Sequence, residues 1–237
     1  MKFEPGLIEV VLLRRYKRFF ADVLMPDGSE IAVHCPNTGS MRGCVGEGWK
    51  AQISDSQNPK RKLRYTLERV HNGKSWIGVH PGKANALAEE AIHNGVIVEL
   101  SGYQVLTREV KYGENSRIDI LLEDPGRCYV EVKSVSLVEK GICYFPDAVS
   151  SRGLKHLHEL IEVKKQGDRA VLLLVVQRRD GKKFRPADHI DPKWSQGLRE
   201  AHGAGVEILI YRCHFGKNKL TIDDAIPLEL RDIYKNI

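Results

Sequence analysis

The hydrophobic period changes at His80-Pro81-Gly82, and this change most constrains the fold because it divides the chain into two kinds of sequence. Before it, short alternating segments are separated by turns such as Pro26-Asp27-Gly28 and Asn72-Gly73, which predicts strands over 7–16, 18–24, 29–35, 49–54, 63–70 and 75–79. So many short strands favour a small barrel or sandwich over residues 1–82, and an OB-like barrel is one solution.

Helical periodicity begins directly after this point. In 83–94 the apolar residues share one helical face, and further helices are predicted over 151–166 and 192–202. Strands are predicted over 96–100, 103–110, 117–123, 127–135, 170–177 and 206–213. The continuous apolar run at 170–177 is typical of a buried strand. Residues 83–237 therefore predict a layered α/β domain in which helices cover a sheet.

Two of these strands form a hairpin around Asp124-Pro125-Gly126, with Asp119 and Glu131 equally far from its centre. Residues at such positions lie opposite each other on one face of a sheet, and Lys133 follows on that face. Neighbouring carboxylates repel unless a cation lies between them or one keeps its proton. Magnesium takes oxygen ligands of this kind, so Asp119, Glu131 and Lys133 are candidate catalytic residues for activating water against a phosphodiester.

A solvated cross-strand charge cluster is the alternative interpretation of this hairpin. Exposed hairpins often carry Asp, Glu and Lys without any catalytic role. Glu131 and Lys133, however, lie in the strongly β-prone run 128–135, which is typical of a central strand. Charges on a central strand usually need partners.

The helix predicted over 151–166 follows this hairpin. Ser150 or Ser151 is a suitable N-cap, and Arg152 and Lys155 lie on the first turn, where free N–H groups also attract anions. A phosphate site is one interpretation, and a solvated face with Arg152 paired to Asp147 is the other. His156 is expected to be a surface residue rather than an acid–base group.

Basic residues are concentrated in the first third of the chain. Residues 1–85 carry 14 Lys and Arg against 8 Asp and Glu, whereas residues 86–237 carry 23 of each. Cations alternate with aromatic residues in 14–20, as on surfaces that hold phosphates and stack bases. The candidate nucleic-acid contacts are Arg14, Arg15, Tyr16, Lys17, Arg18, Arg42, Lys60, Arg61 and Lys62, with Arg152 and Lys155 from the later helix.

Composition excludes several other classes. No apolar run approaches the roughly 18 residues of a membrane span, and the first residues lack signal-peptide architecture, so a cytoplasmic location without membrane association is expected. Five irregularly spaced cysteines indicate reduced thiols rather than a disulfide framework. A zinc site from His34, Cys35 and Cys44 is conceivable, but the paired CxxC spacing typical of such sites is missing.

Several long motifs, in order, resemble the sugar fermentation stimulation protein A family over nearly the whole chain. The matching stretches are RRYKRFFADV, HCPNTGSMRGC, SDSQNPKRK, EVKYGENSRIDILL, CYVEVKSVSL, FPDAVSSRGLKHLHEL and RAVLLLVVQ. The resemblance implies an N-terminal OB-like domain and a mixed-sheet domain of the PD-(D/E)xK, or restriction-endonuclease-like, type. It also implies DNA binding and a link to regulation of sugar, especially maltose, metabolism.

Within that resemblance, Asp119 and Glu131 take the two acid positions and Lys133 the lysine of the E-x-K motif. Glu90 matches the acid that such nucleases often place on the preceding helix. The metal ligands implied are Asp119, Glu131, the carbonyl of Val132 and Glu90, holding magnesium or manganese. Ile118 stands where the motif has proline, a departure common among these enzymes.

Two functions follow. The chain is expected to bind DNA, with RNA left open as a partner, and metal-dependent cleavage would make it a nuclease. The alternative is a non-catalytic DNA-binding regulator on a nuclease-like scaffold, without a helix-turn-helix and with weak sequence preference. A sugar-binding regulator has little support, because no aromatic sugar platform stands out. The sequence carries no signal for oligomeric state.

Overall fold

The computed structural model describes residues 1–112 and 116–230, so residues 113–115 of one family-like stretch and 231–237 of the second predicted domain lie outside the described residues. The strands are β1 (Ile8–Tyr16), β2 (Phe20–Leu24), β3 (Glu30–His34), β4 (Trp49–Asp55), β5 (Tyr65–His71), β6 (Trp76–Gly78), β7 (Val105–Tyr112), β8 (Ser116–Glu123), β9 (Arg127–Val135), β10 (Leu137–Glu139), β11 (Ile142–Phe145), β12 (Arg169–Val176), β13 (Lys183–Pro186), β14 (Glu207–Phe215) and β15 (Leu220–Ala225). The helices are α1 (Ala84–His93), α2 (Ser151–Lys165) and α3 (Pro192–Gly203).

The first five strands close into a barrel. They pair in the order β3-β2-β1-β4-β5, and the parallel bridge between His34 and Thr66 joins β3 back to β5. Inward-pointing apolar residues such as Leu12, Val33 and Leu67 fill the interior. Alternating burial along β1 and β2 follows from the two-residue period of a strand. The predicted OB-like barrel is confirmed.

The later strands form a mixed six-stranded sheet in the order β15-β14-β12-β9-β8-β7. Strand β12 runs parallel to both β9 and β14, and the remaining neighbours are antiparallel. Because β9 and β12 lie in the middle, β12 is buried on both faces along nearly its whole length, and β9 is buried on both faces at Val130, Glu131 and Val132. A small sheet of β10, β11 and β13 lies beside it. The predicted α/β domain with a covered sheet is confirmed.

Helices pack on both faces of this sheet. On one face α1 contacts β9 and β15, and on the other α2 packs against β12 and α3. Ser150 caps α2 by accepting the Gly153 N–H, and Asp191 caps α3 by accepting the Trp194 N–H. The capping of α2 fixes where its first turn begins, beside the ends of β8 and β9.

Some sequence predictions were wrong in detail. Residues 96–100 do not form a strand: Val98–Leu100 is a 3-10 turn that leaves Val98 exposed. Strands β10, β11, β13 and β15 were not predicted, because they are short or carry little alternation. Within the part of the chain that the structure describes, no helix is long and apolar enough to cross a membrane.

The barrel and the mixed sheet touch at several points. The Gly78 N–H donates to the Gln177 carbonyl at 2.8 Å. The guanidinium of Arg69 donates to the carbonyls of Gly216 and Lys217, at 2.9 and 2.8 Å, and lies over the ring of Phe215. These contacts join the two parts, and the division of the chain after residue 82 stays a prediction.

Candidate functional site

The hairpin of β8 and β9 brings the two predicted carboxylates together. Its register ends with the pair Ile120 and Val130, and Asp119 and Glu131 are the next residue on each strand. Asp119 Oδ2 accepts the Val132 N–H at 2.8 Å, which ties the end of β8 to β9.

Both carboxylates line one cavity of about 500 Å³. Its walls come from three neighbouring strands and the first turns of α2, and they consist of Glu109, Ser116, Arg117, Asp119, Glu131, Val132, Lys133, Arg152, Lys155 and His156. The structure therefore brings together five residues that were predicted as site residues from two separate segments of the sequence: Asp119, Glu131, Lys133, Arg152 and Lys155. We call this cavity the carboxylate pocket.

Glu131 is buried, and only one of its two carboxylate oxygens has hydrogen-bond partners. Its Oε1 accepts bonds from Lys133 Nζ and His156 Nδ1, and those two nitrogens are 3.2 Å apart. Burial acts to raise the pKa of Glu131, but the bonds and charges of His156 and Lys133 outweigh it and lower that pKa below its ordinary value. Glu131 is therefore ionised at neutral pH, and its Oε2 has no hydrogen-bond partner among the described residues.

The pKa of Asp119 shifts in the opposite direction. Burial, and then the negative charge of Glu131, raise the pKa of Asp119, although the Val132 N–H and Asn85 act against the shift. Asn85, on α1, donates to Asp119 Oδ1 at 2.8 Å. Two neighbouring carboxylates whose pKa values move apart are typical of catalytic sites, and of sites that receive a cation.

These oxygen donors suit a hard divalent cation. Glu131 Oε2 has no partner among the described residues, and burial together with the neighbouring charge of Glu131 raises the pKa of Asp119, so a cation between the two carboxylates would offset both costs. In the described part of the chain, no group of three or more His, Cys, Asp or Glu side chains could hold a metal. Two carboxylates complemented by backbone and water oxygens are nevertheless the usual ligand set of magnesium.

Glu90 was expected beside these carboxylates, and the structure places it elsewhere. Its carboxylate pairs with the amino group of Met1, and it is not among the residues that line the carboxylate pocket. On α1, the residue that reaches Asp119 is Asn85, five positions earlier. Periodicity could not discriminate between these positions, because both flank the apolar face of the helix.

His156 was expected on the surface and is buried instead. Its Nδ1 contacts Glu131, and Arg152 Nε donates to its Nε2 at 3.4 Å. His156 lies one turn after Arg152, on the side of α2 that faces the sheet. Arg152 itself is exposed. Asp147, the partner that the alternative interpretation gave it, accepts the Ser40 hydroxyl with Oδ2 at 2.9 Å.

The cations nominated in β1 and its turn have different roles. Arg15 donates to the carbonyls of Asn37 and Gly39, at 2.9 and 3.1 Å, so it supports a loop. Arg14 Nε and the Tyr16 hydroxyl both donate to Asp22, at 2.7 and 3.1 Å. Lys17 and Arg18 lie at the exposed turn that follows.

The other nominated cations of the barrel are mostly exposed. Lys60 and Lys62 are exposed, while Arg61 donates to Thr66 Oγ1 at 3.1 Å. Arg42 lies 3.5 Å from Glu139 of β10, so its loop meets the second part of the chain. The structure therefore leaves Lys17, Arg18, Lys60 and Lys62 available for phosphate contacts.

Four further residues at the carboxylate pocket were not predicted from the sequence. Asn85 contacts Asp119, while Glu109, Ser116 and Arg117 line the cavity. Glu109 has φ of 55°, and the β7 register leaves it unpaired between Arg108 and Val110. Such a backbone irregularity is not encoded in a simple alternation pattern.

Comparison with known proteins gives consistent matches. The family model described as "SfsA N-terminal OB domain" matches residues 13–79, and "Sugar fermentation stimulation protein RE domain" matches residues 82–219. A sugar fermentation stimulation protein homolog of Shewanella baltica is 55% identical over 95% of this chain and 98% of its own length. A homolog of Geobacter sulfurreducens is 51% identical over 92% of this chain and 94% of its own.

A solved structure is also similar throughout. The Pyrococcus furiosus SfsA in complex with Ca²⁺ shares 29% sequence identity with this chain, with a TM-score of 0.86. The alignment covers 97% of this chain and 98% of that one.

Proposed function

Because the chain belongs to the sugar fermentation stimulation protein (SfsA) family, we propose that it binds DNA and hydrolyses phosphodiester bonds in a metal-dependent reaction at the carboxylate pocket. The observation that carries this proposal is the buried, ionised Glu131, whose Oε2 is unpartnered beside Asp119. Lys133, Arg152 and Lys155 surround the same cavity and suit a phosphate.

Asp119, Glu131 and the carbonyl of Val132 are the proposed metal ligands. A bound divalent cation such as magnesium or manganese supplies Lewis-acid stabilisation of charge on the phosphate oxygens and lowers the pKa of water. The similar P. furiosus protein was solved with Ca²⁺, another cation that prefers oxygen ligands, which supports this choice. Glu90 is not proposed as a ligand, because its carboxylate pairs with the Met1 amine.

Other side chains have the remaining proposed roles in the reaction. Lys133 is held by Glu131 and orients the attacking water, while His156 fixes the Glu131 carboxylate from the other side. Arg152 and Lys155, on the first turns of α2, hold the phosphate. The exposed cations of the barrel, Lys17, Arg18, Lys60 and Lys62, bind the backbone of the same nucleic acid.

A non-catalytic DNA-binding regulator is the second candidate, and one observation favours it. Both oxygens of Asp119 already accept hydrogen bonds, and Glu131 Oε1 already has two partners, so three of the four carboxylate oxygens have partners without a cation. Such a protein would bind nucleic acid through the barrel, with affinity that falls steeply as salt rises. An effect on sugar metabolism would then come from binding alone.

The test is a cleavage assay on single- and double-stranded DNA and RNA with magnesium, manganese or EDTA. We expect metal-dependent cleavage by the wild type and a loss of about 10²- to 10⁴-fold in Lys133→Ala and Asp119→Ala. Lys83→Ala is the matched control, since Lys83 also pairs with a buried glutamate and is 20% exposed, against 19% for Lys133. Binding by all four proteins without cleavage by any would overturn hydrolysis and leave the regulator.

A further inference from the structure

A second cavity of about 470 Å³ adjoins the carboxylate pocket along α2, because Lys155 lines both. Its other walls include two tyrosines from the sheet and an apolar residue and an amide from the later turns of α2; they are Tyr112, Tyr129, Val163 and Gln166. Its size lies in the range of small-molecule sites. Nothing in the proposed hydrolysis uses this second cavity.

The sheet supplies an aromatic wall. Tyr112 ends β7 and Tyr129 lies on β9, with ring centroids 5.8 Å apart and planes inclined by 40°. Both rings are half-buried and pack against the core that α2 covers, so their positions are fixed before any ligand arrives. Aromatic side chains held in this way are the surfaces on which single-stranded nucleic acids stack their bases.

One acid joins the aromatic wall to the carboxylate pocket. Glu159 accepts the Ser116 hydroxyl at 2.5 Å, the Tyr112 hydroxyl at 3.4 Å, and an ion pair from Lys155 Nζ at 3.4 Å. Ser116 and Lys155 line the carboxylate pocket, whereas Tyr112 lines the second cavity. A ligand that spans the two cavities therefore meets a cation at one end and aromatic rings at the other.

The polar groups around the second cavity narrow the chemistry of this ligand. The exposed Gln166 amide offers two donors and one acceptor, and Lys111 adds a cation. Glu159, Glu162 and His158 also line the cavity, and the two carboxylates can accept N–H groups of a base. Val163 supplies an apolar surface behind them. An aromatic ring with polar edges, linked to a phosphate, fits this combination, and a nucleotide is such a molecule.

We propose that the second cavity binds one unstacked nucleobase of the strand whose phosphate lies at Lys155. This inference rests on the proposed function and specifies its substrate. A base within a duplex is stacked and paired, so only a single strand or a locally unpaired segment delivers a base to this cavity without an energetic cost. The substrate class is therefore single-stranded or locally unpaired nucleic acid.

The test is the dissociation constant of a fluorescently labelled single-stranded DNA 12-mer, and of the matching duplex, measured by anisotropy in EDTA so that no cleavage occurs. Tyr129→Leu keeps apolar packing but removes the stacking ring, and we expect its Kd for the single strand to rise at least about 5-fold. Gln166→Ala, at an exposed position that folding does not need, is expected to raise it about 2- to 10-fold. Duplex binding should change less than twofold in both.

Two matched controls accompany these variants. Tyr103→Leu replaces a half-buried tyrosine elsewhere, and Gln196→Ala replaces an exposed glutamine on α3; both should bind as the wild type does. Equal single-strand binding by wild type, Tyr129→Leu and Gln166→Ala would overturn the nucleobase site while leaving the proposed function intact. Wild-type binding to duplex alone would do the same. Failure of the wild type to bind any nucleic acid would overturn both.

Discussion

Two buried glutamates, Glu68 in the barrel and Glu131 in the mixed sheet, have the same kinds of partner but distribute them differently over their two carboxylate oxygens. Their side chains are 3% and 2% exposed, and each pairs with one histidine and one lysine. For both, burial acts to raise the pKa, and the partners nevertheless lower it. Burial, charge and partner type alone therefore do not distinguish a structural acid from a functional one.

The difference lies in the second carboxylate oxygen. Glu68 accepts from Ser54 with Oε1, at 2.7 Å, and contacts His80 and Lys83 with Oε2, at 3.1 and 3.5 Å. Glu131 concentrates its partners on Oε1 and leaves Oε2 buried and unpartnered, and the residue lines a cavity that Asp119 also lines. A buried acceptor without a partner costs free energy, and a cation at the carboxylate pocket, as proposed above, would remove this cost.

The largest expected effect is a difference in the free energy of unfolding between variants of the two glutamates. Glu68→Gln weakens three satisfied contacts and is expected to cost about 1.5–3 kcal/mol. Glu131→Gln also weakens its bonds to Lys133 and His156, but it removes the charge that raises the pKa of Asp119, so we expect a smaller cost, of about 1 kcal/mol. Denaturant unfolding in EDTA measures both values. Equal losses would mean that the two acids are equivalent structural residues.

A smaller effect concerns Asp119 and its dependence on pH. Because its pKa is raised in the folded chain, folding binds protons between the ordinary value of 3.8 and the raised one, and stability from this group falls as pH increases through that window. Asn at this position can accept only one of the two N–H bonds that Asp119 accepts, so the pH dependence is the signal. Without metal, the stability of Asp119→Asn relative to wild type should rise by roughly 0.5–1 kcal/mol, or about 1–4 °C in Tm, between pH 4 and pH 7. A thermal melt series checks this. A relative stability that falls between pH 4 and pH 7 would contradict the raised pKa.

The sequence predicted the two architectures and the hairpin because both depend on local patterns. Alternation, turn residues and equal spacing from Pro125 are enough to predict the hairpin register that brings Asp119 and Glu131 to one cavity. The contacts that complete the pocket come from elements distant in sequence. His156 reaches Glu131 from α2, and Asn85 reaches Asp119 from α1, so only the packing of helices on the sheet brings them there.

The cations of the barrel also show that contacts between strands are not predicted by local sequence patterns. A run of cations in 14–18 predicted a binding surface, yet Arg15 supports a loop and Arg14 pairs with Asp22. Charge is visible in sequence, whereas its neutralisation by a residue on the next strand depends on register. The exposed Lys17 and Arg18 are the part of that prediction that the fold leaves available.

The most direct measurement is calorimetric titration of the metal-free protein with Mn²⁺ and Ca²⁺, comparing wild type, Glu131→Gln and Glu68→Gln. We expect saturable binding by wild type, unchanged binding by Glu68→Gln if that variant is folded, and loss of binding by Glu131→Gln. Saturating cation should also stabilise wild type, by about 2.7 kcal/mol at a hundredfold excess over Kd. Undiminished binding by Glu131→Gln, or no binding by wild type, would contradict a metal site at the carboxylate pocket.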